Sequence, residues 1–396
     1  MGERLAIHGG SPVRSAMLAY GRQWIDEDDV AAVTAALKSD WITTGPRVAE
    51  FEEALAARVG ARHAVAVSSG TAALHTAVFA AGLGPGDEVV VPSLTFAATA
   101  NCVLYQGGTP IFVDVRPDTL TVDPADVERK ITPRTRALIL VDFAGHPCDL
   151  DRLLELARAH HLVVIEDAAH ALGAEYRERP VGGLADLTTW SFHPVKHVTT
   201  GEGGAVTTNE RALAERAARF RNHGISSDAM DRFRGGEWYY EMADLGFNYR
   251  LTDLQCALGL SQLKKLDRFL VRREAIAARY RDALSGVPGL SLQAVAPHVR
   301  HAWHIFPVLL ELERLAADRR AIFSALRAEG IGVSVHYIPV YWHPYYQRLG
   351  YQKGLCPVAE GVYERLLTLP LFPAMEDRDV EDVIAAVTKV LENFSR

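Results

Sequence analysis

The sequence predicts an α/β protein in which a large doubly wound domain is followed by a smaller α+β domain. Short runs of β-branched residues alternate with helical patterns between residues 63 and 167, which is typical of a largely parallel sheet covered on both faces. From about residue 253 the pattern becomes mostly helical. A chain of 396 residues is also long enough to form two domains.

The predicted strands of the large domain are short and apolar, and helical segments separate them. Continuous apolar runs indicate strands that are buried on both faces. The strands are predicted at residues 63–67, 88–92, 110–115, 137–141 and 162–167, with helices ending near residue 81 and covering about 96–105 and 149–159.

Amphipathic patterns define the remaining elements. Acidic residues at 26–29 begin a helix predicted over 25–38, and a second helix over 51–59 ends at Gly60. We therefore predict a large domain over 1–255 and a small domain over 256–396. The small domain is expected to contain helices at 253–270, 272–284, 319–329 and 377–393 and strands at about 303–310 and 332–338.

The composition disfavours several classes of function. A formal charge of -7 and a pI near 6.1 provide no basic surface for nucleic acid or an anionic membrane. No window approaches about 18 uninterrupted apolar residues, and the N-terminus has no signal-peptide core. The four cysteines form no CxxC pair, so neither a zinc site nor a disulfide framework is expected. We expect a cytoplasmic protein without nucleic-acid or membrane partners.

Lys196 is the first candidate catalytic residue. It lies between a short apolar strand and a glycine-rich turn at residues 201–204. A lysine at a strand end can be partly desolvated, which disfavours its ammonium form and leaves a nucleophilic amine, as a Schiff-base lysine requires. Most lysines are solvated surface charges, so this feature needs support from the rest of the chain.

Three further features follow predicted strands, where ligands bind in doubly wound sheets. Residues 68–72, Ser-Ser-Gly-Thr-Ala, could hold a phosphate or simply cap a helix. Asp167 could also cap a helix, or it could stay ionised against a protonated pyridine nitrogen. Phe96 could pack in the core or stack on a flat cofactor.

Other kinds of site fit the sequence less well. His193 and His197 have the HxxxH spacing of a helical metal site, but the proline between them argues against a regular helix. His301, His304 and His336 have no acidic residue at ligand spacing, so no metal is expected. Neither a Walker loop nor a GxGxxG fingerprint follows a strand, which disfavours a nicotinamide dehydrogenase.

Taken together, these motifs resemble the fold type I PLP-dependent aminotransferases, and within them the sugar aminotransferases of the DegT/DnrJ/EryC1/StrS family. The resemblance covers nearly the whole chain. It implies a large domain with a mostly parallel seven-stranded sheet covered by helices, and a smaller C-terminal α+β domain. The motifs are Thr-Thr-Gly-Pro at 43–46, Ser-Gly-Thr-Ala-Ala-Leu at 69–74, Glu-Asp-Ala-Ala-His at 166–170, Ser-Phe-His-Pro-Val-Lys at 191–196, Thr-Gly-Glu-Gly-Gly at 200–204 and Gly-Phe-Asn-Tyr-Arg-Leu-Thr-Asp at 246–253.

The resemblance implies pyridoxal 5'-phosphate (PLP) as the cofactor and suggests a role for each site residue. Lys196 would bind PLP as a Schiff base and move protons between cofactor and substrate. Asp167 would pair with the pyridine nitrogen, His170 would lie near the phenolic oxygen, and Phe96 would stack on the ring. The phosphate would be held by Gly70, Thr71, Ala72 and Ser191 and, from the neighbouring subunit of a homodimer with shared active sites, by Asn248.

Within the family, the sequence is most similar to the C4 aminotransferases of pseudaminic acid biosynthesis. This likeness implies L-glutamate as the amino donor and a UDP-linked 4-keto-6-deoxy-N-acetylhexose as the acceptor. Its segments are residues 191–196, 237–241, 335–340 and 343–346. Substrate contacts are expected from Thr44, His336, Tyr337 and Tyr345, with Tyr346 as a further candidate.

Three alternatives stay open. The acceptor could be a different nucleotide-linked ketosugar, aminated at C3 or linked to dTDP or GDP. A PLP-dependent dehydratase or aldolase would share every cofactor residue but would release no 2-oxoglutarate. A non-catalytic homologue that senses a nucleotide sugar would bind its ligand without turnover, although the intact Lys196 counts against it.

Overall fold

Seven strands form the central sheet of the computed structural model, which describes residues 3–226 and 238–396. They are β1 (His63–Val67), β2 (Glu88–Pro92), β3 (Thr109–Val113), β4 (Thr135–Val141), β5 (Val163–Asp167), β8 (Leu187–Ser191) and β9 (Gly204–Thr208). Their order is β1-β9-β8-β5-β4-β2-β3. Strand β9 runs antiparallel to both of its neighbours, β1 and β8, and the other neighbouring pairs in this sheet are parallel. The predicted fold, with its mostly parallel seven-stranded sheet, is confirmed.

Helices cover both faces of this sheet. Val89 and Val91 of β2 pack on one face, and Val90 between them packs on the other, so the strand is apolar throughout. The helices of this part of the chain are α1 (Glu27–Leu37), α2 (Pro46–Val59), α3 (Gly70–Ala80), α4 (Ala98–Tyr105), α5 (Pro124–Lys130), α6 (Leu150–His160) and α7 (Arg211–Arg221).

A three-stranded antiparallel sheet and several helices form the C-terminal part. Its sheet has the order β10-β12-β13, while β6 (Glu175–Tyr176), β7 (Arg179–Pro180) and β11 (Val299–Arg300) form a separate small sheet. The C-terminal elements are α8 (Asp253–Leu263), α9 (Leu266–Leu284), β10 (Leu290–Leu292), β12 (Phe306–Leu310), α10 (Arg319–Ala328), α11 (Pro344–Arg348), α12 (Pro357–Arg365), β13 (Leu366–Leu369) and α13 (Asp377–Phe394).

The N-terminal segment packs against this C-terminal part. Leu5 and Leu18 are buried in the same hydrophobic cluster as α9, α10 and α13. Glu329 is fully buried and accepts hydrogen bonds from the amides of Ala6 and Val13. It also pairs with Lys389 of α13 at 3.0 Å. The division into 1–255 and 256–396 stays a prediction, and the first residues contribute to the C-terminal core.

The structure corrects several predicted elements. Residues 332–338 do not form a strand: Ser334 makes one isolated bridge to Thr368. The predicted break between 270 and 272 instead separates α8 from α9, at residues 264–265. Helix α2 begins at Pro46, five residues before its predicted start, because proline suits the first helical position. No helix within the described ranges is long and apolar enough to cross a membrane.

Candidate active site

The predicted strand-end residues meet in one cavity of about 580 Å³. Asp167 ends β5 and Ser191 ends the adjacent β8, while α3 begins with Gly70 opposite them. The loop after β8 brings Lys196 to the same space. The predicted site residues that line this cavity are Gly70, Thr71, Phe96, Asp167, His170, Ser191, Lys196, His336 and Tyr337.

Asp167 lies at the bottom of the cavity in a polar but nearly dry environment. Its Oδ2 accepts a hydrogen bond from Thr99 Oγ1 at 2.7 Å, and its Oδ1 accepts one from the Ala169 amide at 3.3 Å. Burial raises the pKa of Asp167, while these hydrogen bonds and the nearby Lys196 act in the opposite direction. The carboxylate is therefore oriented by two donors and has room for a third partner from the cavity.

Lys196 is half-buried, and its amine faces His304. The distance from Lys196 Nζ to His304 Nε2 is 3.4 Å. Desolvation lowers the pKa of Lys196 to about 8, although the charge of Asp167 opposes this shift. The uncharged fraction of the amine near neutral pH is therefore larger than for an ordinary lysine, as a nucleophile requires.

The turn before α3 forms a cradle for an anion. Ser69 caps the helix, since its hydroxyl accepts a hydrogen bond from the Ala72 amide at 3.1 Å. Within the described residues the amides of Gly70 and Thr71 have no protein acceptor, and helix N-termini favour phosphate. A Cβ on Gly70 would lie 2.8 Å from Ser191 Cβ, so glycine is needed for this close approach.

His170 is held between the protein backbone and an aromatic side chain. Its Nδ1 accepts a hydrogen bond from the Ala144 amide at 3.3 Å, and its Nε2 lies 3.1 Å from Tyr337 Oη. Desolvation and the charge of Lys196 hold the pKa of His170 well below its usual range. The imidazole is therefore neutral, with its proton on Nε2.

Aromatic side chains form the opening of the cavity. Phe96 is 59% exposed and its ring lies 6.0 Å from that of Tyr337, which leaves a face available for stacking. His336 Nδ1 lies 2.9 Å from Thr368 Oγ1, and its ring contacts Tyr20. Burial lowers the pKa of His336 to about 4, so it is a neutral hydrogen-bonding group.

Some predicted residues lie outside the cavity of this chain. The Ala72 amide donates to the Ser69 hydroxyl, and the cavity lining of this chain does not include Ala72, Thr44, Tyr345 or Asn248. Tyr346 is 2% exposed, donates a hydrogen bond to Asn101 and does not line the cavity of this chain, so its substrate role stays a prediction. In the segment 237–241, Glu237 lies outside the described residues.

Sequence reasoning did not find several cavity residues. Thr95 and Thr99 lie near Phe96, but a threonine in an apolar segment gives no functional signal. Tyr20 comes from an N-terminal segment without periodicity, and the sequence around His304 bears only on a metal site. The lining residues to which the sequence assigned no role in the site include Tyr20, Thr95, Thr99, Glu202 and His304.

These residues fit PLP. The cavity offers a buried carboxylate for a pyridine nitrogen, an amine for an aldehyde and a helix N-terminus for a phosphate, all within one space. No group of three or more His, Cys, Asp or Glu residues in the described parts of the chain could hold a metal ion. The fold and the site together define a fold type I PLP-dependent enzyme.

Comparison with known proteins identifies the family. The DegT/DnrJ/EryC1/StrS aminotransferase family matches residues 23–388. The spore coat polysaccharide biosynthesis protein SpsC of Bacillus subtilis is 44% identical over 382 residues, covering 96% of this chain and 98% of SpsC. The chain therefore belongs to the DegT/DnrJ/EryC1/StrS aminotransferase family, and it is a PLP-dependent sugar aminotransferase.

Solved structures of sugar-biosynthesis aminotransferases have the same fold as this chain. Helicobacter pylori PseC, an aminotransferase involved in the biosynthesis of pseudoaminic acid, matches with a TM-score of 0.89 and 32% identity over 96% of this chain and all of that chain. Streptococcus pneumoniae Spr1654, solved in PLP and PMP forms, matches with a TM-score of 0.89 and 31% identity over 95% of this chain and 99% of its own. The prediction of PLP as cofactor is confirmed.

Proposed function

We propose that this enzyme transfers the amino group of L-glutamate to C4 of a UDP-linked 4-keto-6-deoxy-N-acetylhexose. The observation that carries this proposal is the cavity that combines Lys196, Asp167 and the anion cradle of α3. The choice of acceptor is supported by the overall likeness to PseC.

Bound PLP would supply an electron sink that stabilises charge on the carbon attached to the transferred nitrogen. In the proposal, Asp167 keeps a proton on the pyridine nitrogen, and Thr99 helps to keep that carboxylate ionised. The Lys196 amine, once free, takes a proton from the donor carbon and returns it to the cofactor carbon. In the second half of the reaction it moves a proton in the opposite direction, toward the sugar C4.

The remaining cavity residues would bind and orient. The phosphate is held by the amides of Gly70 and Thr71, which have no acceptor within the described protein, and by the Ser191 hydroxyl. Ala72 follows them in the first turn of α3. Phe96 covers one face of the ring. His170 donates from Nε2, and its hydrogen bond to Tyr337 links the cofactor end of the cavity to the substrate end.

His336 and Tyr337 are proposed to contact the sugar. Both line the cavity, and both are neutral hydrogen-bonding groups on aromatic rings, which suits a hydroxylated ring with apolar faces. Thr44 and Tyr345 remain proposed substrate residues that lie outside the cavity of a single chain. For them to contact the substrate, a second subunit or a long nucleotide arm is required.

We also propose a homodimer with shared active sites. Among the described cavity residues Lys196 alone carries a formal positive charge, yet glutamate has two carboxylates and the diphosphate of a nucleotide sugar is also anionic. The segment beside Asn248 exposes large apolar side chains: Trp238 is 82% and Leu245 is 79% exposed. Large exposed apolar side chains that lie close together in sequence suit a protein interface. A second subunit would cover them and bring Asn248 to the phosphate.

Absorbance spectroscopy tests the reaction. PLP-loaded protein is expected to lose its long-wavelength band when L-glutamate is added, and to release one equivalent of 2-oxoglutarate. The band should return with a UDP-linked 4-ketosugar and not with its C3-keto counterpart. Lys196→Ala should retain the pyridoxamine form but lose turnover, and undiminished activity in this variant would rule the mechanism out. Return of the band only with a dTDP-, GDP- or C3-keto sugar would transfer the assignment to that acceptor.

Mixed subunits test the shared site. Lys196→Ala and Asn248→Ala homodimers should each be impaired, but a mixed dimer should contain one site with both residues intact. Recovery of activity on mixing, together with a dimeric mass in light scattering, is the expected result. A fully active monomer would contradict the proposal.

A further inference from the structure

His304 is a buried cavity residue that the proposed reaction does not yet use. It is 4% exposed, and its Nε2 lies 3.4 Å from the Lys196 amine. Its ring centroid lies 4.2 Å from that of His170, and the two ring planes are tilted by 40°. It comes from the segment before β12, far from Lys196 in sequence. Its contact with the reactive amine is therefore a property of the tertiary fold.

The backbone of His304 is fixed from two sides. Its amide donates to the carbonyl of Ala144 at 2.8 Å. Its carbonyl accepts from Arg273 at 3.0 Å, and the same guanidinium nitrogen also donates to the Trp303 and Leu371 carbonyls. Arg273 is 1% exposed, and among the described residues no carboxylate forms an ion pair with it. The imidazole is consequently preorganised beside Lys196.

Hydrogen-bond accounting assigns the tautomer of His304. Its Nδ1 is buried and has no partner among the described residues. A buried N–H without an acceptor is rarer and more costly than a buried acceptor without a donor. The neutral ring therefore carries its proton on Nε2, and this N–H faces the Lys196 nitrogen.

The groups around this pair favour a neutral imidazole. Lys196, His170, His197 and Arg273 all disfavour a second proton on His304, and desolvation acts in the same direction, so its pKa is well below the usual range. Asp167 is the acidic group that influences Lys196, and it favours the ammonium form. Desolvation and the charge of Arg273 oppose the influence of Asp167 on Lys196, and a hydrogen bond from His304 Nε2 would add to that opposition at short range.

We propose that His304 is a positioning residue that donates a hydrogen bond from Nε2 to the uncharged amine of Lys196. A donor facing an amine meets its lone pair, but a donor facing an ammonium meets another N–H. His304 thus favours the uncharged form of the Lys196 amine. It also holds that amine in a fixed orientation while it waits to take up the next proton. This inference rests on the proposed function, because it assumes that Lys196 is the reacting amine.

The test is the pH dependence of PLP attachment to the apoprotein, measured by absorbance and by borohydride trapping. Only the uncharged amine attacks the PLP aldehyde, so the rate should rise with a midpoint near the pKa of Lys196, about 8. His304→Leu replaces the imidazole with an apolar side chain of similar size that has no hydrogen-bond donor. Its midpoint should move up by about one pH unit, the scale of one hydrogen bond, and its rate at pH 7 should fall about tenfold.

Two control variants and one further perturbing variant complete the test. His304→Gln can present an N–H at the position of Nε2 and should retain the wild-type midpoint. His304→Asn is polar but too short to reach Lys196, so it should shift like His304→Leu and replaces it if that variant fails to fold. His301→Gln changes a buried histidine of the same segment that lies outside the cavity lining, and its midpoint should not move.

An unchanged midpoint in folded His304→Leu or His304→Asn would overturn the inference about His304. It would leave the proposed function intact, provided that the wild type attaches PLP and converts L-glutamate. If the wild type attaches no PLP, the proposed function itself fails. The two failures are therefore distinguishable within one experiment.

Discussion

The hydrogen bond between Thr99 and Asp167 provides a quantitative prediction. Thr99→Val keeps the shape of the side chain and removes the hydroxyl that donates to Asp167 Oδ2 at 2.7 Å. Hydrogen bonds to charged groups contribute about 1.5–3 kcal/mol, which corresponds to roughly one to two pKa units. Because burial already raises the pKa of Asp167, the variant should raise it further by this amount.

The direction in which the pH profile should move follows from the protonation state of Asp167 that the reaction needs. The ionised carboxylate holds the proton on the pyridine nitrogen, so the acid limb of the glutamate half-reaction should move to higher pH by about one to two units. In the apoprotein, a raised folded-state pKa means that stability is lost as the pH rises from the unfolded value, about 3.9, through the folded one. Thr99→Val should deepen this loss by about 1.5–3 kcal/mol at neutral pH and have a smaller effect below about pH 4.

The assay is the rate of the glutamate half-reaction from pH 5 to 9, followed by absorbance, together with urea unfolding of the apoprotein. Thr99→Ser retains the hydroxyl and serves as the control, which should follow the wild type. If the profile of PLP-loaded Thr99→Val superimposes on that of the wild type, Thr99 does not control the ionisation of Asp167. An equal shift in Thr99→Ser would assign the effect to packing instead.

Three further predictions concern single side chains. Burial raises the pKa of Asp142 above its usual range beside the buried Glu166, so Asp142→Asn should gain stability relative to the wild type as the pH rises from about 4 toward neutrality, measured by urea unfolding. Gly70→Ala places a Cβ 2.8 Å from Ser191 Cβ; the displacement should weaken PLP affinity about tenfold, measured by titration of the apoprotein. Tyr346→Phe should lower the free energy of unfolding by about 1 kcal/mol and leave the KM for the sugar unchanged, since a raised KM would indicate substrate contact.

The strands of the parallel sheet could be predicted because their burial on both faces produces continuous apolar runs. β9 could not, since its buried positions include Thr207 and Thr208, which satisfy their hydroxyls within the core. Residues 332–338 look like a strand because Val333 and Val335 alternate with polar residues. In the structure this segment makes only one bridge to β13 and instead directs His336 and Tyr337 into the cavity.

The residues that would bind the cofactor could be predicted from the sequence for a physical reason. Parallel strands end at one edge of the sheet, so residues that follow different strands, such as Asp167 and Ser191, must converge. No such rule brings His304 or Tyr20 to the cavity, because they come from irregular segments whose positions depend on tertiary packing. Local sequence spacing cannot predict a contact between Lys196 and His304 across 108 positions.

The packing of the N-terminal segment has a consequence for biosynthesis. Leu5 and Leu18 find their apolar partners on α9, α10 and α13, and Glu329 binds the amides of residues 6 and 13. These residues leave the ribosome hundreds of positions before the helices that bury them. The central sheet can assemble during translation, whereas the C-terminal core must wait for α13. A nascent chain that stops near residue 255 would therefore display an unburied leucine pair that a chaperone could bind.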